Sequence, residues 1–239
     1  MAVTWEDQGL VLSARRHGEH DAIISVLTEN NGRYAGLVKA GSSRRLKGML
    51  QPGNVIKATW RARLDEHLGT MSVELAHSFS AELMQDADRL AGLSSVCALI
   101  DALLPERQPQ PEIERTTIKF LSAVNTDGWA ARYARWELDV LRDLGFGLDL
   151  SACAGTGSLE NLIYVSPKSG RAVSAEAGAP YASRLLALPA FLRDGSNASN
   201  AEVVSALALT GHFFETHVFG PQGQALPAAR VRLVERLLS

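Results

Sequence analysis

The apolar residues of this chain change period once, near residue 80, and that change divides what it can fold into. Before it, short apolar runs are punctuated by turn residues. "GLVLSARR" (9–16) and "AIISVLTEN" (22–30) are rich in β-branched and apolar residues. "NNG" (30–32) is a tight-turn signal that leads into a third run, "RYAGLVKAG". "QPGN" turns the chain again, because Pro52 presets φ and Gly53 tolerates positive φ. "VIKATWRARL" (55–64) then alternates, with Ile56, Ala58 and Trp60 on one face and Lys57, Thr59 and Arg61 on the other. "GTMSVELAHSF" supplies a fifth strand. Five strands joined by hairpin turns predict a small closed or nearly closed β-barrel.

From Ala81 the spacing becomes helical. Leu83, Ala87, Leu90, Leu93, Cys97 and Ile100 recur at threes and fours, and "PERQPQP" (105–111) ends that helix. Further helices are expected at 112–124, 129–144, 182–192, 201–218 and 228–238. Asn200 stands where an N-cap is needed, and "DLGFG" gives the 129–144 helix its terminal glycines. The expected organisation is a sheet domain over 1–80 and an α-helical domain over 81–239. A loop and hairpin insert falls at about 148–179, turning at Ser169-Gly170.

Charge is distributed unevenly. The formal net charge is -2, yet Lys39, Arg44, Arg45, Lys47, Lys57, Arg61 and Arg63 fall within 25 residues, and no carboxylate occurs from Asn30 to Leu64. Cations among glycines and serines suit phosphate contact, since they neutralise the backbone of a nucleic acid and release its counterions. The plainer alternative is a solvated sheet edge whose charges deter aggregation. Binding is the better reading, because an ordinary surface intersperses acids. Candidate contacts are Arg33, Lys39, Arg44, Arg45, Lys47, Arg61 and Arg63, with Arg15 and Arg16 at the periphery. Trp60 is expected in the core rather than as a stacking platform.

Other motifs carry less. "HGEH" (17–20) lacks both the P-C-x-x-C of a zinc deaminase and two further ligands, so an exposed turn is expected. "GFG" (145–147) and "GTG" (155–157) do not extend into a nucleotide-binding fingerprint and read as a helix cap and a tight loop. No nucleophile–base constellation or carboxylate pair points to catalysis. Arg132, Arg135 and Arg142 flank an apolar stripe of Tyr133, Trp136, Val140 and Leu144. An amphipathic core helix is the simpler reading, and a groove for a partner's acidic, apolar tail is the sharper one. No apolar run is long enough to span a membrane and no signal peptide is expected, which makes the cytoplasm the expected compartment.

The order of these segments resembles the RecO family of bacterial recombination mediators, most closely its alphaproteobacterial members. The likeness runs through "GLVLSARRHGEHDAIISVLTENNGRYAGLVKAG", "SSRRLKGMLQPGN", "YARWELDVLRDLGFGLDLSACAGTG", "YVSPKSGRAVS", "LPAFLR" and "GHFFETHVFGPQGQALPAARVRLVERL". It implies an α+β multidomain fold: a five-stranded OB-fold barrel, then an α-helical domain with a small zinc-finger-like insert. It also implies a non-enzymatic, nucleoid-associated protein that binds single- and double-stranded DNA and anneals complementary strands. With RecR, and in some organisms RecF, such proteins load RecA onto DNA coated by single-strand-binding protein, whose C-terminal tail they contact through the helical domain. An OB-fold interaction scaffold and an RNA-binding protein are the alternatives.

One departure stands out. Some members hold zinc with two C-x-x-C knuckles, whereas here Thr156 stands where the partner of Cys153 would be, and "GRAVSAEAG" holds no second pair. No metal is therefore expected, and packing of Leu162, Ile163, Tyr164 and Val173 is expected to shape the insert.

Overall fold

The computed structural model describes residues 3–238. Two compact units divide the chain between Asn125 and Thr126. The N-terminal unit contains β1 (Val3–His17), β2 (Asp21–Thr28), β3 (Gly32–Val38), α1 (Arg44–Met49), β4 (Asn54–Ala62) and β5 (Thr70–Ser78). The helical segments α2 (Phe79–Glu82), α3 (Ala87–Leu103) and α4 (Pro111–Ser122) complete it. The first two long helices thus lie in the same compact unit as the sheet. Asp86 caps α3 by accepting from the backbone N–H groups of Asp88 and Arg89 at 3.1 and 3.0 Å.

β1 does double duty. Val3 to Leu10 pair antiparallel with β4 and Gly9 to His17 with β2, with a register shift between Val11 and Ser13. Such a shift bends a strand and lets the sheet curl. The predicted alternation on β4 holds: Ile56, Ala58 and Trp60 face inward and are buried. Trp60 stacks on Trp5 at 6.0 Å between centroids, and Tyr34 meets both rings edge-on at 5.0 Å. Burying such side chains stabilises by about 1.5–3 kcal/mol each. Gly69 is required beside them, since at φ 65° a Cβ would lie 2.5 Å from the Trp60 indole.

The expected fold needs correction in two respects. Around the strand order β1-β2-β3-β5-β4 and back to β1, four seams are antiparallel ladders. The fifth, β3 to β5, is a single parallel pair, Leu37 with Thr70. The two ends of the sheet meet at a point, not along a sealed seam. The cause is competition for the β3 edge: Arg107 N–H donates to the Arg33 carbonyl at 2.8 Å, and Glu106 bridges to Arg33. Linker residues after α3 therefore occupy part of the edge that a fully laddered barrel would give to β5.

The second correction concerns the insert. The C-terminal unit contains α5 (Trp129–Leu141), β6 (Leu162–Val165), β7 (Ala172–Ser174), α6 (Ala175–Gly178), β8 (Leu186–Ala187), α7 (Phe191–Asp194), α8 (Asn200–Phe213) and α9 (Ala228–Leu238). The insert is a three-stranded sheet in the order β7-β6-β8 rather than a zinc finger. Among the described residues, no group of three or more His, Cys, Asp or Glu is placed to hold a metal ion. Leu162, Val165 and Ala172 are buried, but Ile163, expected inside, is exposed. A register shift between Leu162 and Tyr164 turns it outward. Tyr164 packs over Gly178, where a Cβ would approach its ring to 2.5 Å.

The helix expected at 182–192 does not form. Ala179–Arg184 is a tight 3-10 turn, Leu186 and Ala187 join the sheet, and only Phe191–Asp194 is helical. Pro189 disfavours helical backbone at the residue before it, which explains the break. The ends of α5 and α8 both widen into π turns, at Arg142–Phe146 and Phe214–Phe219.

Candidate nucleic-acid interface

The basic segment is not the simple loop its composition implied. Residues 44–49 form α1, whose N-cap Ser43 accepts from Leu46 N–H at 3.4 Å. Asp21, at the start of β2, pins the approach to this helix. Its carboxylate accepts from Ala40 N–H at 2.9 Å and from Lys39 Nζ at 3.0 Å. These bonds, the Ala40 N–H first, hold the Asp21 pKa below the usual carboxylate value. Gly41 then passes so close to β2 that a Cβ would lie 2.6 Å from that of Ala22.

The result is an open cleft of about 490 Å³ between the β1–β2 turn and α1. Arg15, Arg16 and Lys47 line it together with Glu19, Gly41, Ser42 and Ser43. Arg44 and Arg45 project from the same helix and are exposed. Among the described residues, no carboxylate lies within ion-pair distance of Arg15, Arg16, Arg44, Arg45 or Lys47. Arg16 donates to the Glu19 carbonyl at 2.8 Å, which orients its guanidinium. The turn itself, His17 to His20, is exposed as expected, with Gly18 at φ 60°.

Other predicted contacts have different surroundings. Arg33 turns inward: Nε donates to the Leu104 carbonyl at 2.7 Å, and Nη1 lies 3.4 Å from Asp101 and 3.5 Å from Glu106. Lys39 is exposed but paired with Asp21. Arg61 and Lys57 lie on the outer face of β4, as their alternation required, and Arg63 is exposed just past its end. That face is not acid-free in space. Glu74 of β5 stands opposite Lys57, and Glu6 of β1 stands opposite Thr59, between Lys57 and Arg61. Several unpaired cations gather at the α1 cleft, which Glu19 also lines. Arg15 and Arg16, peripheral in the sequence reading, are central to it.

Arg132 and Arg135 of α5, and Arg142 in the turn that ends it, serve local structure. Arg132 donates to the Thr126 hydroxyl and the Asp127 carbonyl. Arg135 donates to the carbonyls of Phe191 and Ser196, both at 3.1 Å, and stacks over the Phe191 ring at 5.4 Å. Arg142 pairs with Asp139 at 2.6 Å and Asp143 at 3.0 Å while its side chain stays 61% exposed.

A family model described as "Recombination protein O N terminal" matches residues 1–79, and one described as "Recombination protein O C terminal" matches 84–225. The chain belongs to the recombination protein O family. It is 49% identical over 243 residues to the DNA repair protein RecO of Rhodospirillum rubrum, covering 98% of this chain and 96% of that protein. It is 51% identical over 234 residues to that of Rhodospirillum centenum, covering 97% and 94%. The RecO of Cereibacter sphaeroides is 47% identical over 235 residues, covering 98% of each chain. The two family models part near residue 80, where the apolar period changes, whereas the compact units part at residue 125.

In this RecO-family chain both cysteines are free and buried. Burial pushes the Cys97 thiol up to about 12. Cys153 is pulled down to about 6, first by the Ser174 side chain and then by Thr156 and the Ser174 backbone N–H, which lies 3.3 Å from Sγ. Thr156, which stands where the resemblance expected a second cysteine, thus favours the thiolate of Cys153. Among the described residues, no helix is long and apolar enough to cross a membrane.

Proposed function

We propose that this protein is a non-catalytic mediator of recombinational DNA repair that binds single- and double-stranded DNA and anneals complementary strands. The observation that carries this reading is the α1 cleft, lined by Arg15, Arg16 and Lys47 with Arg44 and Arg45 exposed on the same helix, none of them in an ion pair among the described residues. Membership of a family whose named relatives are DNA repair proteins makes the polyanion DNA. Free cations around an open cleft neutralise phosphates and gain counterion-release entropy. Two strands held on such a surface repel each other less, and their bases stay available for pairing. No covalent step is needed.

The family resemblance extends the proposal to partners: RecR and, in some settings, RecF, acting together to load RecA onto DNA coated by single-strand-binding protein. The acidic tail of that coating protein would be received by the helical region, where Arg132, Arg135 and Arg142 are already engaged with Thr126, Phe191 and Asp139. The working compartment is the cytoplasm, at the nucleoid. The test is a titration of a labelled single-stranded oligonucleotide across a salt series, with the intact chain and with R44A/R45A/K47A. A steep salt dependence that flattens in the variant supports the cleft. An absence of salt-sensitive affinity in the intact chain overturns the DNA-binding reading.

A further inference from the structure

The π turns that end α5 and α8 converge on one small notch in the C-terminal unit. Phe146 closes the first turn and His217 lies within the second. Their rings stack at 5.9 Å and 22°, and His217 stacks in turn on Phe213 at 5.6 Å and 13°. Phe213 is buried, but Phe146, at the outer end of the stack, is 39% exposed. The notch beside it measures about 130 Å³, and the Lys168–Gly170 turn of the β6–β7 hairpin forms its other wall. Gly170 adopts φ 67° and lies against the Phe213 ring, where a Cβ would come within 3.6 Å, while Lys168 is exposed and, among the described residues, has no carboxylate within ion-pair distance. Gly145, left-handed at φ 89°, ends α5 and turns Phe146 into the stack, where the second turn supplies His217.

We infer that this notch stacks an unpaired nucleobase of single-stranded DNA on Phe146 and places the attached phosphate against Lys168. A ring stack that ends in an exposed ring accepts another flat ring, and every base has a π face. The alternative guest is an aromatic side chain at a peptide's C-terminus, whose carboxylate lies close to its own ring. The carbonyl end of α5 runs into Phe146 and disfavours a negative charge there. Arg142, at the end of α5, is already neutralised by Asp139 and Asp143. In a nucleotide the sugar separates base from phosphate, so the charge can reach Lys168 while the ring stacks. The site would hold a base turned out from the duplex partner, complementing the phosphate contacts proposed for the α1 cleft, and it rests on that DNA-binding reading.

The experiment compares the intact chain with F146A, F146W and K168A. The probes are a single-stranded dT oligonucleotide, the matching duplex and an acidic peptide ending in phenylalanine. F146A is expected to weaken single-strand binding about 5- to 100-fold, with duplex binding and the salt slope unchanged. F146W is expected to restore it, and K168A to lower the single-strand slope by about 0.7. If the intact chain binds DNA but F146A leaves single-strand affinity unchanged, the notch holds no base. Loss of peptide binding alone in F146A also overturns the inference, and makes the notch a peptide site. Failure of the intact chain to bind any DNA would instead count against the proposed function.

Discussion

Arg230 of α9 and Glu137 of α5 form a two-pronged ion pair in the interior of the C-terminal unit, with Nε to Oε1 at 2.8 Å and Nη2 to Oε2 at 2.9 Å. Both residues are buried. Tyr133 donates to the same carboxylate at 2.8 Å, Thr210 donates to its other oxygen, and Arg230 also reaches the Leu207 carbonyl at 2.7 Å. Burial opposes the charge on Arg230, but attraction and hydrogen bonds from Glu137 more than offset it and leave its pKa raised. Leu233 is the other buried side chain of α9. One arginine and one leucine therefore anchor the last helix. R230A is expected to lower the stability of the C-terminal unit by about 3–5 kcal/mol, because it strands a buried carboxylate. Replacing both partners together, as R230M/E137L, is expected to cost far less. Urea unfolding of the three proteins checks this, and equal losses in both variants would contradict it.

The α1 cleft predicts a number for the salt titration. If Arg44, Arg45 and Lys47 each neutralise one phosphate, R44A/R45A/K47A lowers the duplex slope of log K against log salt by about 2.7. K57A is expected to change it little, since Glu74 stands opposite Lys57. A larger effect from K57A than from the triple variant would move the interface to the outer face of β4.

Arg33 is expected to report on stability instead. Its guanidinium ties β3 to the end of α3 through Leu104 and Asp101. R33A should cost about 1–3 kcal/mol in chemical unfolding, the range for leaving buried hydrogen-bonding groups unpaired. Its salt slope should match that of the intact chain. A lower slope at unchanged stability would return Arg33 to the DNA surface.

Cys153 predicts a pH dependence. Its thiol lies near 6 in the fold against an ordinary value of 9.0, so the folded state favours the thiolate. The stabilisation is complete above the ordinary value and is lost as pH falls from about 9 through about 6. The difference in urea midpoint between the intact chain and C153A should therefore shrink steadily from pH 9 to pH 6. A constant difference would show that the hydrogen bonds from Ser174 and Thr156 do not hold a thiolate. Metal analysis of the purified protein should find zinc well below one equivalent.

Much of this architecture is legible residue by residue. The alternation of Ile56, Ala58 and Trp60 places them inside because the side-chain period of a strand is two, whatever the strand pairs with. The C-terminal helix runs over 228–238 as expected, since helical periodicity is equally local. The apolar spacing around Pro189 mimics a helix, and the proline itself is the local signal of the break. Helix α1 was hidden among glycines and serines, and Ser43 as N-cap was its one mark.

The sequence by itself determined the period of each segment and the stretch without acids, because both are properties of neighbours along the chain. Only the tertiary structure decided which cations stay free. Arg33 meets Asp101 and Glu106 from the far end of α3, and strand pairing sets Glu6 and Glu74 beside the cations of β4. Phe146 and His217 likewise meet only where two helices end. Ion pairs and ring stacks depend on distances through space of a few ångströms, and separation along the chain carries no record of them.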